Sequence, residues 1–135
     1  MINKVIFFQI KLEHTKLLRI IQKAHMHFAN KEQLTIVVPD QKALEFVDLL
    51  LWKTPKDSFL PHDIEKNSQE LIQIVLEKDM RIPPYIFNLT AHALQLKHHP
   101  KIIYEFDDST SPQKSLNTRN KYQHYKNLGL NIELH

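Results

Sequence analysis

Along the chain the apolar positions change period several times, and each change marks an element. Lys4 to Ile10 is a nearly continuous apolar run, as expected of a strand buried on both faces. Leu17, Ile21, Ala24 and Phe28 then recur at i, i+4, i+7 and i+11, one face of a helix that starts near His14 or Thr15 and stops near Asn30. Leu34 to Val38 predicts a second buried strand, β-branched and closed by Pro39. Asp40 is placed to cap the next helix, whose inward face takes Ala43, Phe46 or Val47, Leu50 and Leu51. That helix delivers Trp52 and a loop carrying Pro55, Phe59 and Pro61.

The second half continues the alternation. Residues 63–70 are polar and charged, a surface loop by pattern. Leu71 to Leu76 predicts a third strand, Glu77 to Pro84 a charged connection, Tyr85 to Thr90 a fourth strand, and Ala91 to Leu96 a short helix. Lys101 to Phe106 follows as a fifth strand, then a turn over Asp107 to Ser111. The last helix is punctuated at both ends: Ser111 suits the N-cap, Pro112 the first helical position, and Gly129 the C′ position that needs a positive φ. Leu130 to Leu134 can add a terminal strand. Strands alternating with helices predict an α/β three-layer domain with a mostly parallel central sheet, one domain over residues 1–135.

Composition narrows the chemistry. A chain of 135 residues with 42% hydrophobic and 24% charged residues is globular rather than disordered. The formal charge of +3 is too mild for a dense duplex-binding face. No cysteine is present, so disulfides, thiolate catalysis and cysteine-based zinc sites are excluded. No window approaches the roughly 18 apolar residues of a membrane helix, and the short run Val5 to Phe8 does not make a secretory signal, so a soluble, cytosolic chain is expected. With Gly129 as the only glycine, neither a P-loop nor a dinucleotide fingerprint can be built, and no nucleotide cofactor is expected.

The candidate sites are few. Among nine histidines, His25 and His27 are two apart on a helix and cannot share an ion, while His98 and His99 precede Pro100 in a loop. No H-E-x-x-H pattern occurs, so no metal is expected and the histidines are read as surface groups, with His62 making a loop hydrogen bond. No serine sits in a nucleophile elbow. Glu105, Asp107 and Asp108 fall at a strand end, where an α/β enzyme would place its site; an acidic turn explains them equally simply, and more often. Trp52 and Phe59 have two uses, as ordinary core aromatics or as an anchor offered to a partner. The last helix has no carboxylate from Ser109 to Ile132 but carries Lys114, Arg119, Lys121 and Lys126. Arg119, Tyr122 and Lys126 share one face at i, i+3, i+7, and Lys121 with Tyr125 flanks a second. Cations beside an aromatic ring suit a ligand with a carboxylate and a bulky apolar group, such as an acidic peptide tail. A solvated basic helix with tyrosines packed inward fits the same spacing.

Two stretches together resemble one family. Leu51-Trp52 with Pro55, followed by Ser58-Phe59-Leu60-Pro61-His62, resembles a segment of the chi subunit of bacterial DNA polymerase III. Arg119-Asn120-Lys121-Tyr122-Gln123-His124-Tyr125-Lys126, with Gly129 and Asn131 beyond, resembles that family's closing segment. The resemblance implies a non-catalytic replication adaptor with a Rossmann-like fold, working in the cytoplasm at the nucleoid-associated replisome. It implies that the acidic C-terminal tail of single-stranded-DNA-binding protein meets Arg119, Tyr122 and Lys126, with Lys114 close by. It further implies that Trp52, Phe59, Pro61 and His62 serve a surface for the psi subunit or a helicase, so that DNA is reached only indirectly. Ser115 and Gln123 stand where the family often has lysine. A small α/β enzyme with its site near Glu105 to Asp108 is the rival class.

Overall fold

Among the described residues six parallel strands form one sheet, and its order puts the first strand near one edge and the third at the other. In the computed structural model, which describes residues 3–53, 60–64, 70–81, 83–96 and 100–135, the elements are β1 (Lys4–Ile10), α1 (Glu13–Ala29), β2 (Leu34–Val38), α2 (Gln41–Lys53), β3 (Ile72–Leu76), β4 (Tyr85–Asn88), β5 (Ile102–Asp108), α3 (Pro112–Asn127) and β6 (Asn131–Leu134). The strand order is β3-β2-β4-β5-β1-β6, and every pairing is parallel. This is the expected α/β architecture, Rossmann-like in its layers.

The continuous apolar runs have the cause expected of them, because side chains alternate across the sheet and both faces are covered. Ile6, Phe8, Ile10, Leu34, Ile36 and Val38 point to one side, where they meet Ile20, Ile21 and Ala24 of α1 and Leu44, Val47 and Leu51 of α2. Val5, Phe7 and Ile103 point to the other, against Tyr125 of α3 and Ala93. Val37, Val75 and Ile86 extend that second core under Leu94. At the β3 edge, Asp63 bridges Gln73, so the segment before residue 64 partly covers the free backbone.

Helix ends follow local chemistry. Asp40 Oδ1 accepts from Ala43 N at 2.8 Å at the start of α2, and Ser111 Oγ accepts from Lys114 N at 3.2 Å at the start of α3. Gly129 has φ +77°, the left-handed conformation its place after α3 requires.

Three expectations are corrected. Residues 91–96 are irregular, not helical. Asn88 and Thr90 divert the local backbone: Thr90 N donates to Asn88 Oδ1 at 3.0 Å, and Asn88 Nδ2 donates to the His92 carbonyl at 2.9 Å. Asp107 and Asp108 are not in a turn; β5 continues through Asp108 because β1 extends to Ile10 beside it. His27 is not a surface group: it is buried in the core end of α1, with Nε2 2.7 Å from the Tyr104 hydroxyl and Nδ1 3.1 Å from Glu32 Oε1. Burial pushes the His27 pKa down, against the pull of Glu32. His98, His99 and most of the 63–70 loop lie outside the described residues.

Candidate functional site

Helix α3 divides its polar side chains between two faces. Ser115, Thr118, Lys121 and Tyr125 recur at spacings of three and four, and this side turns toward β5. Glu105 projects from β5 on the same side as Ile103, and its carboxylate is fully buried. Lys121 Nζ lies 2.9 Å from Glu105 Oε1 and also donates to the Thr90 carbonyl at 2.6 Å. Tyr125 donates to Glu105 Oε2 at 2.5 Å, and Asn88 Nδ2 donates to the same oxygen at 2.8 Å. Burial pushes the Glu105 carboxyl above its ordinary value, opposed by Lys121, Tyr125 and Asn88. Burial also raises the Tyr125 phenol, and Glu105 adds to the rise.

The sequence reading of Glu105 as part of an acidic turn is therefore corrected: it is the anchor point of α3 on the sheet. The signal was present in the chain. A carboxylate inside the doubly buried run Ile102 to Phe106 needs a cationic partner, and Lys121 with Tyr125 at i, i+4 supplies one. The inward packing expected as one use of the tyrosines holds for Tyr125.

The outward face of α3 is different. Arg119 and Lys126 are exposed, and neither has a carboxylate or hydrogen-bond partner among the described residues. Tyr122 is 38% exposed, its ring resting 6.2 Å from that of Phe7. Lys114 sits elsewhere on the helix. Its ammonium is 2.8 Å from Glu13 Oε1, which raises the Lys114 pKa. Glu13, held by Lys114 and Lys16, is pulled down to about 2, and Lys16 also pairs with Asp108.

The second candidate surface begins at the end of α2. The inward positions there are Leu44, Val47 and Leu51, so Trp52 is turned about 100° away from the core. It is 43% exposed, which overturns the expectation of an ordinary core aromatic. Phe46 (54% exposed) and Leu49 (51%) precede it at three-residue steps, so an apolar stripe runs down the outside of α2. The Trp52 ring packs 4.4 Å from that of His62. His62 itself is buried, with Nδ1 2.7 Å from the Leu60 carbonyl and Nε2 2.8 Å from Asp48 Oδ1. It makes the loop hydrogen bond expected of it and fixes residues 60–62 against α2. Pro61 is exposed, and Phe59 lies outside the described residues.

A third feature lies where the rival class would put its chemistry. A groove of about 900 Å³ opens at the carboxyl ends of the strands; the surface it exposes is mostly apolar, with Leu17, Ile20, Ala43, Phe46, Leu89 and Phe106 contributing, although polar and charged residues outnumber apolar ones around it. Most of its ionic groups are matched to one another, Glu13 and Asp108 with Lys16 and Lys114, and Lys121 with the buried Glu105; Asp40 and Lys42 also line it and are exposed. Among the described residues no three His, Asp or Glu side chains converge as a metal site needs, and no helix is long and apolar enough to cross a membrane.

Comparison with known proteins agrees with the two-part resemblance. The family model described as DNA polymerase III chi subunit, HolC, matches residues 2–133. A comparison with curated proteins gave no match. The chain belongs to the chi subunit family of DNA polymerase III.

Proposed function

From that membership, which supports an accessory role in DNA polymerase III, we propose that the chain is a non-catalytic adaptor linking the clamp loader to single-stranded-DNA-binding protein. In this reading the outer face of α3 receives that protein's acidic C-terminal tail. The stripe ending at Trp52 receives the psi subunit or a helicase. DNA is reached only through the protein that coats it, no cofactor is needed, and the chain works in the cytoplasm within the replisome.

The observation that supports this most directly is the state of the α3 outer face. Two cations, Arg119 and Lys126, are left without partners among the described residues on a helix that contains no carboxylate, and a half-exposed tyrosine lies between them. Elsewhere most of the lysines near α3 are neutralised: Lys114, Lys16 and Lys121 all contact carboxylates. Unmatched positive charge beside an aromatic ring suits a carboxylate-rich chain ending in a bulky apolar residue. Arg119 offers a planar fork for a carboxylate, and Tyr122 an apolar wall. Lys114 contributes only long-range charge while Glu13 holds it. The Trp52 surface is supported by exposure of the stripe Phe46, Leu49 and Trp52, and by the His62 and Asp48 bonds that fix its neighbouring loop. His62 acts there as a buried support, and Pro61 and Phe59 complete the proposed contact.

Calorimetry with a peptide ending in Asp-Asp-Ile-Pro-Phe tests the tail site. Replacing Arg119 by Ala is expected to raise Kd about tenfold to a hundredfold, the equivalent of one charge-assisted contact. Added salt is expected to weaken binding further. Binding indifferent to Arg119→Ala, or absent at low salt, would remove the reading.

A further inference from the structure

The groove at the strand ends lies apart from the centres of the adaptor reading: Arg119, Tyr122, Lys126 and Trp52 do not line it, and it shares with that reading only Phe46 and Lys114. Its position follows from topology. After β2 the chain runs through α2 toward β3 at one edge, while after β4 it runs the opposite way to β5. Parallel sheets open a crevice where successive connections diverge in this way, and α/β folds commonly hold small ligands there. The volume of about 900 Å³ and the apolar walls fall in the range of small-molecule sites.

One polar group points to what such a ligand would carry. Lys121 lines the groove although it is only 6% exposed. Its ammonium has three hydrogens, and among the described residues two of them are used, on the Thr90 carbonyl and on Glu105. A third donor remains at the wall. The charge of its acceptor is constrained by the neighbours. Glu105 already balances Lys121, so a second carboxylate would bring an uncompensated negative charge into a desolvated place. A neutral carbonyl oxygen can take the hydrogen without that cost. Of the other ionic groups that line it, Glu13, Lys16, Lys114 and Asp108 are closed on one another, while His14, Asp40 and Lys42 are exposed, where water screens them. Phosphate ligands are disfavoured as well, because the loops at the strand ends contain no glycine to let the backbone approach a pyrophosphate.

We propose that this groove binds a small uncharged molecule with an aromatic or alicyclic body and a carbonyl group. The body lies against Leu17, Ala43, Phe46, Leu89 and Phe106, and the carbonyl accepts from Lys121.

The full chain titrated with 6-propionyl-2-(dimethylamino)naphthalene, a neutral aromatic ketone whose emission shifts to the blue in apolar surroundings, tests this. Saturable binding at one site with a blue shift is expected, and an anilinonaphthalene sulfonate should bind at least tenfold more weakly. Ala43→Trp, which fills the groove from α2, should weaken the ketone at least tenfold. Lys121→Met should do so by a similar factor, each variant being checked for its far-ultraviolet circular dichroism. If Lys121→Met fails to fold, Ala43→Trp decides alone. Arg119→Ala should leave the ketone's affinity unchanged, which separates this site from the tail site. No saturable binding, or equal affinity in the Ala43→Trp variant, overturns the site; tighter binding of the sulfonate overturns the neutral-carbonyl assignment.

Discussion

Replacing Lys121 by Met leaves Glu105 buried without its counter-ion. Removing one partner of a buried pair costs roughly 3–5 kcal/mol, because the remaining charge is neither solvated nor matched. The surroundings of Glu105 favour the lower figure: Tyr125 and Asn88 still donate to Oε2, at 2.5 and 2.8 Å. A chain of 135 residues has an unfolding entropy of roughly 0.28 kcal/mol/K, so about 3 kcal/mol lowers Tm by about 10 °C. Thermal unfolding followed by circular dichroism at neutral pH gives that shift directly.

Two further measurements separate an orphaned charge from simple loss of packing. Burial already raises the Glu105 pKa in the native protein, and losing Lys121 removes the strongest opposing pull. The folded state then holds a proton more tightly than the unfolded state does. Stability therefore falls as pH rises through the folded pKa, and the deficit of the variant narrows as pH is lowered toward the ordinary glutamate value of 4.5. In addition, Glu105→Gln combined with Lys121→Met removes both charges and should recover most of the lost stability. A deficit that stays constant across this pH range, or a double variant no better than the single one, would refute the explanation.

Four other outcomes follow from the geometry. Gly129→Ala should cost about 1 kcal/mol, measured by urea unfolding; a Cβ there meets nothing within 4 Å, so the cost comes from φ +77° alone. Glu13→Gln should cost under about 1 kcal/mol, since the carboxylate is well exposed. With Glu13 pulled down to about 2 and Asp108 also lowered, their contribution is present above the ordinary carboxylate range and is lost as pH falls toward 2, which an acid titration of Tm would show. Trp52→Ala should change Tm by only a few degrees while reducing capture of a psi subunit or helicase in a pull-down with purified partner, because the ring is 43% exposed and at the end of the α2 stripe.

Most of the fold was legible because period and punctuation agree. The strand runs were continuous where both faces are covered, and Ser111, Pro112 and Gly129 marked α3 correctly at both ends. What local pattern could not give was pairing at long range. The segment after β4 had helical composition, yet Asn88 and Thr90 bind their own neighbourhood and prevent a helix. The position of Asp108 depends on how far β1 extends, a fact held 98 residues away in Ile10, which pairs with Asp108 and whose carbonyl accepts from Ser109. His27 looked like one of many surface histidines because its partner Tyr104 lies 77 residues on. For the candidate site, the outward triad of α3 was legible from spacing alone, while the role of Lys114 was not: only tertiary contact with Glu13 shows that its charge is already engaged.

The two faces of α3 make one mechanical argument. Arg119 and Tyr122 sit on either side of Lys121 in sequence, and Lys126 follows Tyr125. Tyr122 and Lys126 thus each directly follow a residue that is bonded to Glu105 from within, and Arg119 stands two positions before one. Long cationic side chains lose rotamer entropy on binding, but the backbone carrying them need not be ordered again if it is already fixed. The buried pair at Glu105 therefore holds the outer face in register, although it lies on the other side of the helix from that face. It follows that Lys121→Met, measured well below its Tm, should weaken the acidic peptide less than Arg119→Ala does, and mainly by loosening α3 rather than by removing a contact. Such a variant that still bound the peptide with native affinity would show that the two faces are energetically independent.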